Sequence, residues 1–296
     1  MCGAAGRRAL VARDRNRETS DARFVYDRCT ACATVFLTNA PPDLASYYRG
    51  SYYGFRPDGE PDWRGDDFRE SIERERVELL LRNVEPGRLI EIGAGSGGFA
   101  AAASGAGFEV SAIEMDDGCC RYMSDRLGIR TICSDDPVRA LEGLPEASVI
   151  AMWHVLEHLP NPAQVLAAAA DRLEPEGILA LGVPNPASIQ FRLLGSRWAH
   201  LDAPRHLVLA PAPTLIERTA AMGLRCVFAT TDDPFGHHSN IHGWTYALHR
   251  RPGVGPAPAH SHAGLALARL ARPIERRDLL GSALLLLLRR DAQART

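Results

Sequence analysis

An α/β fold built on a doubly wound, Rossmann-like parallel sheet is predicted by three features of the sequence. The first is LIEIGAGSGGF at residues 89–99, where an apolar run breaks into a glycine-rich turn and continues into an alanine-rich stretch at 99–106. Such a stretch reads as strand, loop and helix. The second is the alternation that follows: strand 108–114, helix 116–127, strands 129–133 and 148–154, helix 162–173, strand 177–184, helix 214–222 and strand 224–231. The third is the run of leucines within 281–289, the composition of a strand buried on both faces. In sheets of this kind ligands bind outside the carboxyl ends of the strands, so the loops there are where functional residues are sought.

The glycine-rich turn carries the strongest signal. Glycines let a backbone approach a ligand without Cβ collisions, and the helix behind them offers unpaired N–H groups. Gly93, Gly95 and Gly98 satisfy the dinucleotide pattern G-x-G-x-x-G, so an NAD(P)-dependent oxidoreductase is one reading. Close helix–sheet packing is a second use for the same glycines. Glu91, two residues before Gly93, argues against a pyrophosphate and for the cationic end of a ligand, which its carboxylate would reach under the loop. Glu114 closes the next strand, where a carboxylate can accept from two ribose hydroxyls.

Together these residues read E-x-G-x-G-x-G followed by an acidic strand end, and they resemble motif I of the class I S-adenosylmethionine (SAM) methyltransferases. The segment MWHVLEHLPNP at 152–162 and W-x-H-L-D-x-P-R-H at 198–206 are similar to the ubiquinone-biosynthesis-like branch of that family, extending the resemblance over about residues 65–235. The resemblance implies a seven-stranded sheet whose last strand lies antiparallel beside the fifth. It also implies SAM as cofactor, with Glu91, Gly93, Ala94, Gly95 and Gly97 around the methionine end, Glu114 and Met115 at the ribose, and Asp135 or Asp136 near the adenine amine. His154 would complete the cofactor contacts. His154 and His158 are the candidate proton acceptors beside the transferred methyl. Trp198, His200, Arg205 and His206 are candidates for an acceptor pocket, with Arg205 favouring an anionic group; pairing of Arg205 with Asp202 is the plainer alternative, as are local capping by Glu157 and structural histidines. The implied acceptor is a small molecule such as a hydroxylated metabolite, a sugar or a natural-product intermediate. A SAM-binding module without catalysis stands beside this as an alternative.

Composition narrows the classes further. The chain has 296 residues, 46% of them hydrophobic, and a formal net charge of −2, so there is no global basic field for nucleic acid. All 34 basic residues are Arg, which removes any mechanism that needs a Lys amine. No charged-then-apolar leader follows Met1, and the longest leucine run is too short to span a bilayer. A cytoplasmic enzyme without stable membrane insertion and with mostly reduced thiols is the expectation.

Residues 1–62 are expected to form a degenerate Cys ribbon and an aromatic strap, 63–250 the SAM-dependent core, 251–280 a linker and basic cap, and 281–296 the last core strand and tail. Around Cys29 and Cys32 the alternation within 24–39 reads as a hairpin. The resemblance implies a zinc ribbon in which the first cysteine of the first C-x-x-C would lie before Met1; with only Cys2 to add, no tightly held zinc is expected. Tyr47, Tyr48, Tyr52, Tyr53 and Phe55 mark a strap over the cofactor mouth or along the domain surface. A helix over 63–84 carries the stripe Val77, Leu80, Leu81 and Val84. His237, His238 and His242, bracketed by Gly236 and Gly243, read as a loop and not as a metal site. Residues 252–264 read as linker, and the basic stretch 265–280, broken by Pro273, as a solvated cap.

Overall fold

The computed structural model describes residues 2–48, 54–56, 58–248 and 258–292. Strands β1 (Gly6–Ala12), β2 (Phe24–Cys29) and β3 (Val35–Leu37) come first, followed by β4 (Arg88–Ile92), β5 (Glu109–Glu114), β6 (Arg130–Cys133), β7 (Ala147–Trp153) and β8 (Leu173–Pro184). The chain then adds β9 (Val208–Leu209), β10 (Leu224–Thr230) and β11 (Ala283–Arg290). They build two sheets, a seven-stranded one in the order β10-β11-β8-β7-β4-β5-β6 and a four-stranded one in the order β1-β2-β3-β9. In the larger sheet β4 to β8 pair in parallel, whereas β11 runs antiparallel between β8 and β10. The sequence expectation for this sheet holds strand by strand.

Strand parity divides the core. Leu89, Val149, Ala151, Leu285 and Leu287 face helices α1 (Asp67–Leu81), α2 (Gly98–Gly105) and α3 (Asp117–Arg126), meeting Leu80, Phe99 and Met123. Ile90, Ile92, Ile150, Leu284 and Leu286 face the other way, toward α4 (Pro137–Glu142), α5 (Pro162–Arg172) and, after α6 (Ile189–Leu194), α7 (Ala212–Ala220). Side chains alternate across a strand, so the leucine run of β11 fills both layers at once. Helix α1 starts at Asp66, whose carboxylate accepts from the N–H groups of Phe68 and Arg69. Its buried stripe is Ile72, Arg76, Val77 and Leu80; Leu81, expected in it, is 41% exposed.

Three local readings are corrected. β1 and β9 were not anticipated, and β9 closes the N-terminal sheet with residues from far along the chain. The histidine segment is not a loop but lies within α8 (Pro234–Ala247). Its glycines serve close approach: a Cβ on Gly236 would stand 2.7 Å from the Thr231 carbonyl, and one on Gly243 would strike the Gln190 side chain. The expected linker falls partly outside the described residues, and from Pro258 onward it is helical, the start of α9 (Pro258–Glu275). Glu275 ends that helix buried, accepting from Trp244 Nε1 at 2.8 Å and Gln190 Nε2 at 3.0 Å. The cap is thereby tied to α6 and α8.

The N-terminal sheet is fastened to the core through residues 198–206. Arg205 is 0% exposed; its guanidinium donates to Asp14 at 2.7 Å and to both Asp202 oxygens at 2.8 and 2.9 Å. Trp198, Leu201 and Ala203 pack with Phe24, Tyr26 and Val35. Burial alone would raise the pKa of Asp14 and Asp202, but Arg205 holds both below the usual carboxylate range. Both are therefore charged in the fold, and their contribution is complete above the ordinary Asp pKa and fades as pH falls through the lowered values. Removing one partner strands a buried charge. Arg205→Ala is expected to cost about 3–5 kcal/mol, read from urea midpoints at neutral pH, with a smaller difference from the parent protein in acid; a cost within the scatter of surface substitutions would contradict this reading.

Candidate active site

At the carboxyl ends of the parallel strands lies a cavity of about 380 Å³. Gly93, Gly95, Glu114, Met115, Ser134 and Asp135 line one side, and His154, Val155, His158 and Leu159 the other. Leu44, Ala45 and Tyr48 cover it from the short 3-10 turn Leu44–Tyr48, so this part of the aromatic strap lies over the mouth. Tyr52 and Tyr53 lie outside the described residues.

The glycines divide between two uses. Gly93, at φ 71°, turns the chain off β4, and a Cβ there would collide with the Val155 side chain. Gly97 is close-packed too, with Met123 Cγ 2.7 Å from its Cβ position. Only around Gly95, at φ 55°, is that space open, and Gly95 lines the cavity. Packing thus accounts for more of the glycines than the sequence suggested.

Glu114 is 4% exposed, and backbone N–H groups occupy its carboxylate: Gly95 donates at 2.8 Å to one oxygen, Met115 and Asp116 at 2.8 and 2.9 Å to the other. Desolvation raises its pKa, and these donors oppose the shift. A carboxylate offers about four lone-pair sites, so capacity remains on the cavity side. Asp136 instead caps α4, accepting from Arg139 N, while its neighbour Asp135 lines the cavity.

Glu91 departs from expectation. It is 3% exposed and does not line the cavity, because it shares strand parity with Leu89 and points beneath α1 and α2. Burial and the charge of Glu73 push its pKa well up, with Arg76 opposing, and Oε2 has no hydrogen-bond partner. Ala94 packs into the same layer. The sequence reading treated both as loop residues open to a ligand; register turns them inward.

His154 sits just beyond β7 at φ 59°, a region non-glycine residues seldom occupy and one that clusters at functional sites. Its N–H donates to the Gly182 carbonyl at 2.8 Å, and its ring packs on Phe235. His158 follows in a 3-10 turn, with Nδ1 2.9 Å from the Tyr48 hydroxyl and its ring edge-on to His206. Burial, then the charge of His206, lowers His158 to about 4. Between these histidines Glu157 is 1% exposed.

None of Trp198, His200, Arg205 and His206 lines the cavity. Trp198 is core, packed on Phe191. The Arg205 guanidinium is fully enclosed with Asp14 and Asp202, which leaves no open face for an acceptor anion. His200 Nε2 stands 3.2 Å from the Ser239 carbonyl, and burial lowers its pKa to about 3. His206 alone reaches the edge of the site, beside Glu157 and His158. His238 and His242 belong to α8, and among the described residues they join no cluster of metal-ligating side chains. Cys2, Cys29 and Cys32 do converge, with 3.2 Å between the Cys2 and Cys29 sulfurs; backbone N–H groups of Cys32 and Ala31 draw Cys29 down to about 7.

A family model described as a methyltransferase domain matches residues 64–229, more than half of the chain. This chain belongs to the SAM-dependent methyltransferase family. SAM is accordingly its cofactor class, and the NAD(P) reading falls away. A curated relative, the ubiquinone biosynthesis O-methyltransferase of Bordetella avium (strain 197N), is 25% identical over 138 residues, 44% of this chain and 57% of that protein. The chain thus matches little more than half of that relative's length. Among solved structures, the 1,6-didemethyltoxoflavin-N1-methyltransferase of Burkholderia thailandensis, with S-adenosylhomocysteine bound, shares the fold at TM-score 0.52 and 17% identity, covering 92% of this chain and 97% of its own. A SAM-dependent methyltransferase from Archaeoglobus fulgidus gives TM-score 0.51 at 15% identity, over 75% and 94%.

Two outcomes follow from this geometry. Gly95→Val is expected to abolish SAM binding in calorimetry and to cost stability only through its left-handed backbone, whereas Gly93→Ala adds a clash with Val155 to the same backbone strain and is expected to lower the melting temperature with its effect on SAM secondary; the reverse pattern would refute the division of roles. Because His200 is held neutral, the unfolded chain takes up a proton there first as the solution is acidified. Stability should therefore fall as pH drops from about 6.5 toward 3, and His200→Asn should flatten that slope in urea titrations.

Proposed function

We propose that the protein transfers a methyl group from SAM to a small hydroxylated acceptor, such as a metabolite, sugar or natural-product intermediate, with the 380 Å³ cavity holding both reactants. The observation that carries this reading is the division of that cavity's wall, with the Gly95 backbone and the Glu114 and Asp135 carboxylates on one side and two histidines and a tyrosine on the other. Bound SAM supplies a methyl on a sulfonium, an electrophile that needs no further activation.

The remaining work falls to the protein. Glu114 would accept from the ribose hydroxyls with the lone pairs its three N–H donors leave free. Gly95 would let the backbone approach the cofactor. Asp135, after β6, would take the adenine amine. On the opposite wall His154, fixed by its unusual backbone and by Phe235, holds the position from which an acceptor hydroxyl can lose its proton as the carbon–oxygen bond forms. His158 is braced by Tyr48, which makes the strap part of the acceptor side. Orientation and exclusion of water provide most of the rate enhancement, since the electrophile arrives activated.

The test is transfer of isotope-labelled methyl from SAM to a panel of phenols, sugars and amines. Label should appear in a hydroxylated small molecule, and His154→Ala should lower the rate about a hundredfold or more while calorimetry shows SAM still bound. Retained SAM binding with no labelled acceptor across the panel, or full activity in His154→Ala, would count against this function.

A further inference from the structure

Beside the cofactor wall, Glu157 and the histidines around it form a polar cluster that packing alone does not explain. Glu157 follows β7 behind the cavity wall, is 1% exposed, and neither of its oxygens accepts a well-formed hydrogen bond; imidazole nitrogens are its nearest partners. A buried carboxylate in a native protein is paired or binds a cation, and the surrounding imidazoles admit either arrangement. Around it stand three imidazoles. His154 Nδ1 lies 3.4 Å from Glu157 Oε1 and His206 Nε2 lies 3.8 Å from the same oxygen. One ligand atom from each of Glu157, His158 and His206 falls within 4.8 Å of the other two.

We propose that Glu157, His158 and His206 form a divalent-cation site of the zinc type behind the cavity wall, reached from the cavity through His158. A carboxylate with two imidazoles is a donor set that zinc accepts while keeping a further position open. Two ligands each about 2 Å from one ion can stand no more than about 4 Å apart, and Glu157 and His206 already meet that limit at 3.8 Å.

The outer contacts suit the same role. A ligating histidine commonly donates its second ring N–H to a carbonyl, which leaves the other nitrogen free for the metal. His206 Nδ1 lies 2.8 Å from the His200 carbonyl oxygen, to which its N–H donates, so Nε2, on the Glu157 side, is the ring nitrogen left to ligate a metal. On His158, Nδ1 and the Tyr48 hydroxyl stand 2.9 Å apart. The Glu157 carbonyl accepts from Leu207 N at 2.7 Å and the His206 carbonyl from Tyr26 at 2.9 Å, so the segments bearing the ligands are locked by backbone bonds that do not involve the ligand side chains.

His158 also lines the cavity, so an ion held here could take an acceptor oxygen at its open position and favour loss of that oxygen's proton to solvent or to His154. This consequence rests on the methyl-transfer reading; the metal site itself does not, and it is measured without turnover.

The converging thiols are a competing site, so the experiment must separate sulfur from nitrogen and oxygen ligation. Full-length protein is cleared with chelator and refilled with Zn²⁺ alone, and X-ray absorption reads the ligands in the parent protein and in Cys29→Ser. Zinc with nitrogen and oxygen neighbours should persist in Cys29→Ser, and adding Glu157→Gln or His206→Asn should weaken its binding about tenfold or more. Purely sulfur-ligated zinc in the parent, no zinc in a folded Cys29→Ser, or binding unchanged by both ligand substitutions overturns the site. Should Cys29→Ser fail to fold, the parent spectrum decides alone. SAM affinity measured on the same samples shows independently whether the cofactor reading stands.

Discussion

The carboxylate of Glu114 ties together the two loops on which the cavity depends. By accepting from Gly95 on one side and from Met115 and Asp116 on the other, it fixes the tip of the first β-to-α turn against the end of the neighbouring strand. A carboxylate that accepts from three backbone donors ties both loops at once, and hydrogen bonds to an ionised acceptor are about twice as strong as neutral ones. That tie holds the backbone at Gly95 and Met115, both of which line the cavity. A functional carboxylate here is also a structural one, and substitutions at Glu114 act on loop shape as well as on any ligand.

A similar economy joins two distant stretches of chain. Residues 154–158 and 198–206 were read as separate clusters of polar side chains, one beside the methyl and one around an acceptor. Folding sets only His206 of the second stretch against the first, while Trp198 and Arg205 turn away to hold the N-terminal sheet. The strap segment reaches the same place from the other direction, with Tyr48 against His158. What covers the site and what anchors the N-terminal sheet are therefore continuous.

The large sheet was legible because central strands such as β7 and β11 are nearly uninterrupted apolar runs and because strands and helices alternate along the chain. Gly93, Gly95 and Glu114 were legible as a motif, and the cavity forms around them. Glu91 was misread since its role depends on strand parity at a loop boundary, which a single residue's shift reverses. β1 was missed because GRRALVA shows no apolar–polar alternation and is mostly exposed, and β9 because two residues are too few to show a period. The α8 segment failed for a different reason. Gly236 and Gly243 look like helix breakers until the side chains packed against them are known, and that is tertiary information. Arg205 was visible as a charge, but nothing near it in sequence announced that Asp14, so far upstream, would enclose it.

Strand β11 has one more implication, which concerns the order of synthesis. It fills the gap between β8 and β10, so β8 lacks its antiparallel neighbour and β10 has no attachment to the sheet until residues 283–290 have been made. A nascent chain carrying everything up to α9 would expose the edge of β8, with Ile178, Leu179 and Leu181 along it, at the middle of the future sheet. Unpaired apolar edges of this kind invite pairing with other chains. Synthesis of β11 is what converts a half-open sheet into a closed one, and until then the edge of β8 stands unpaired.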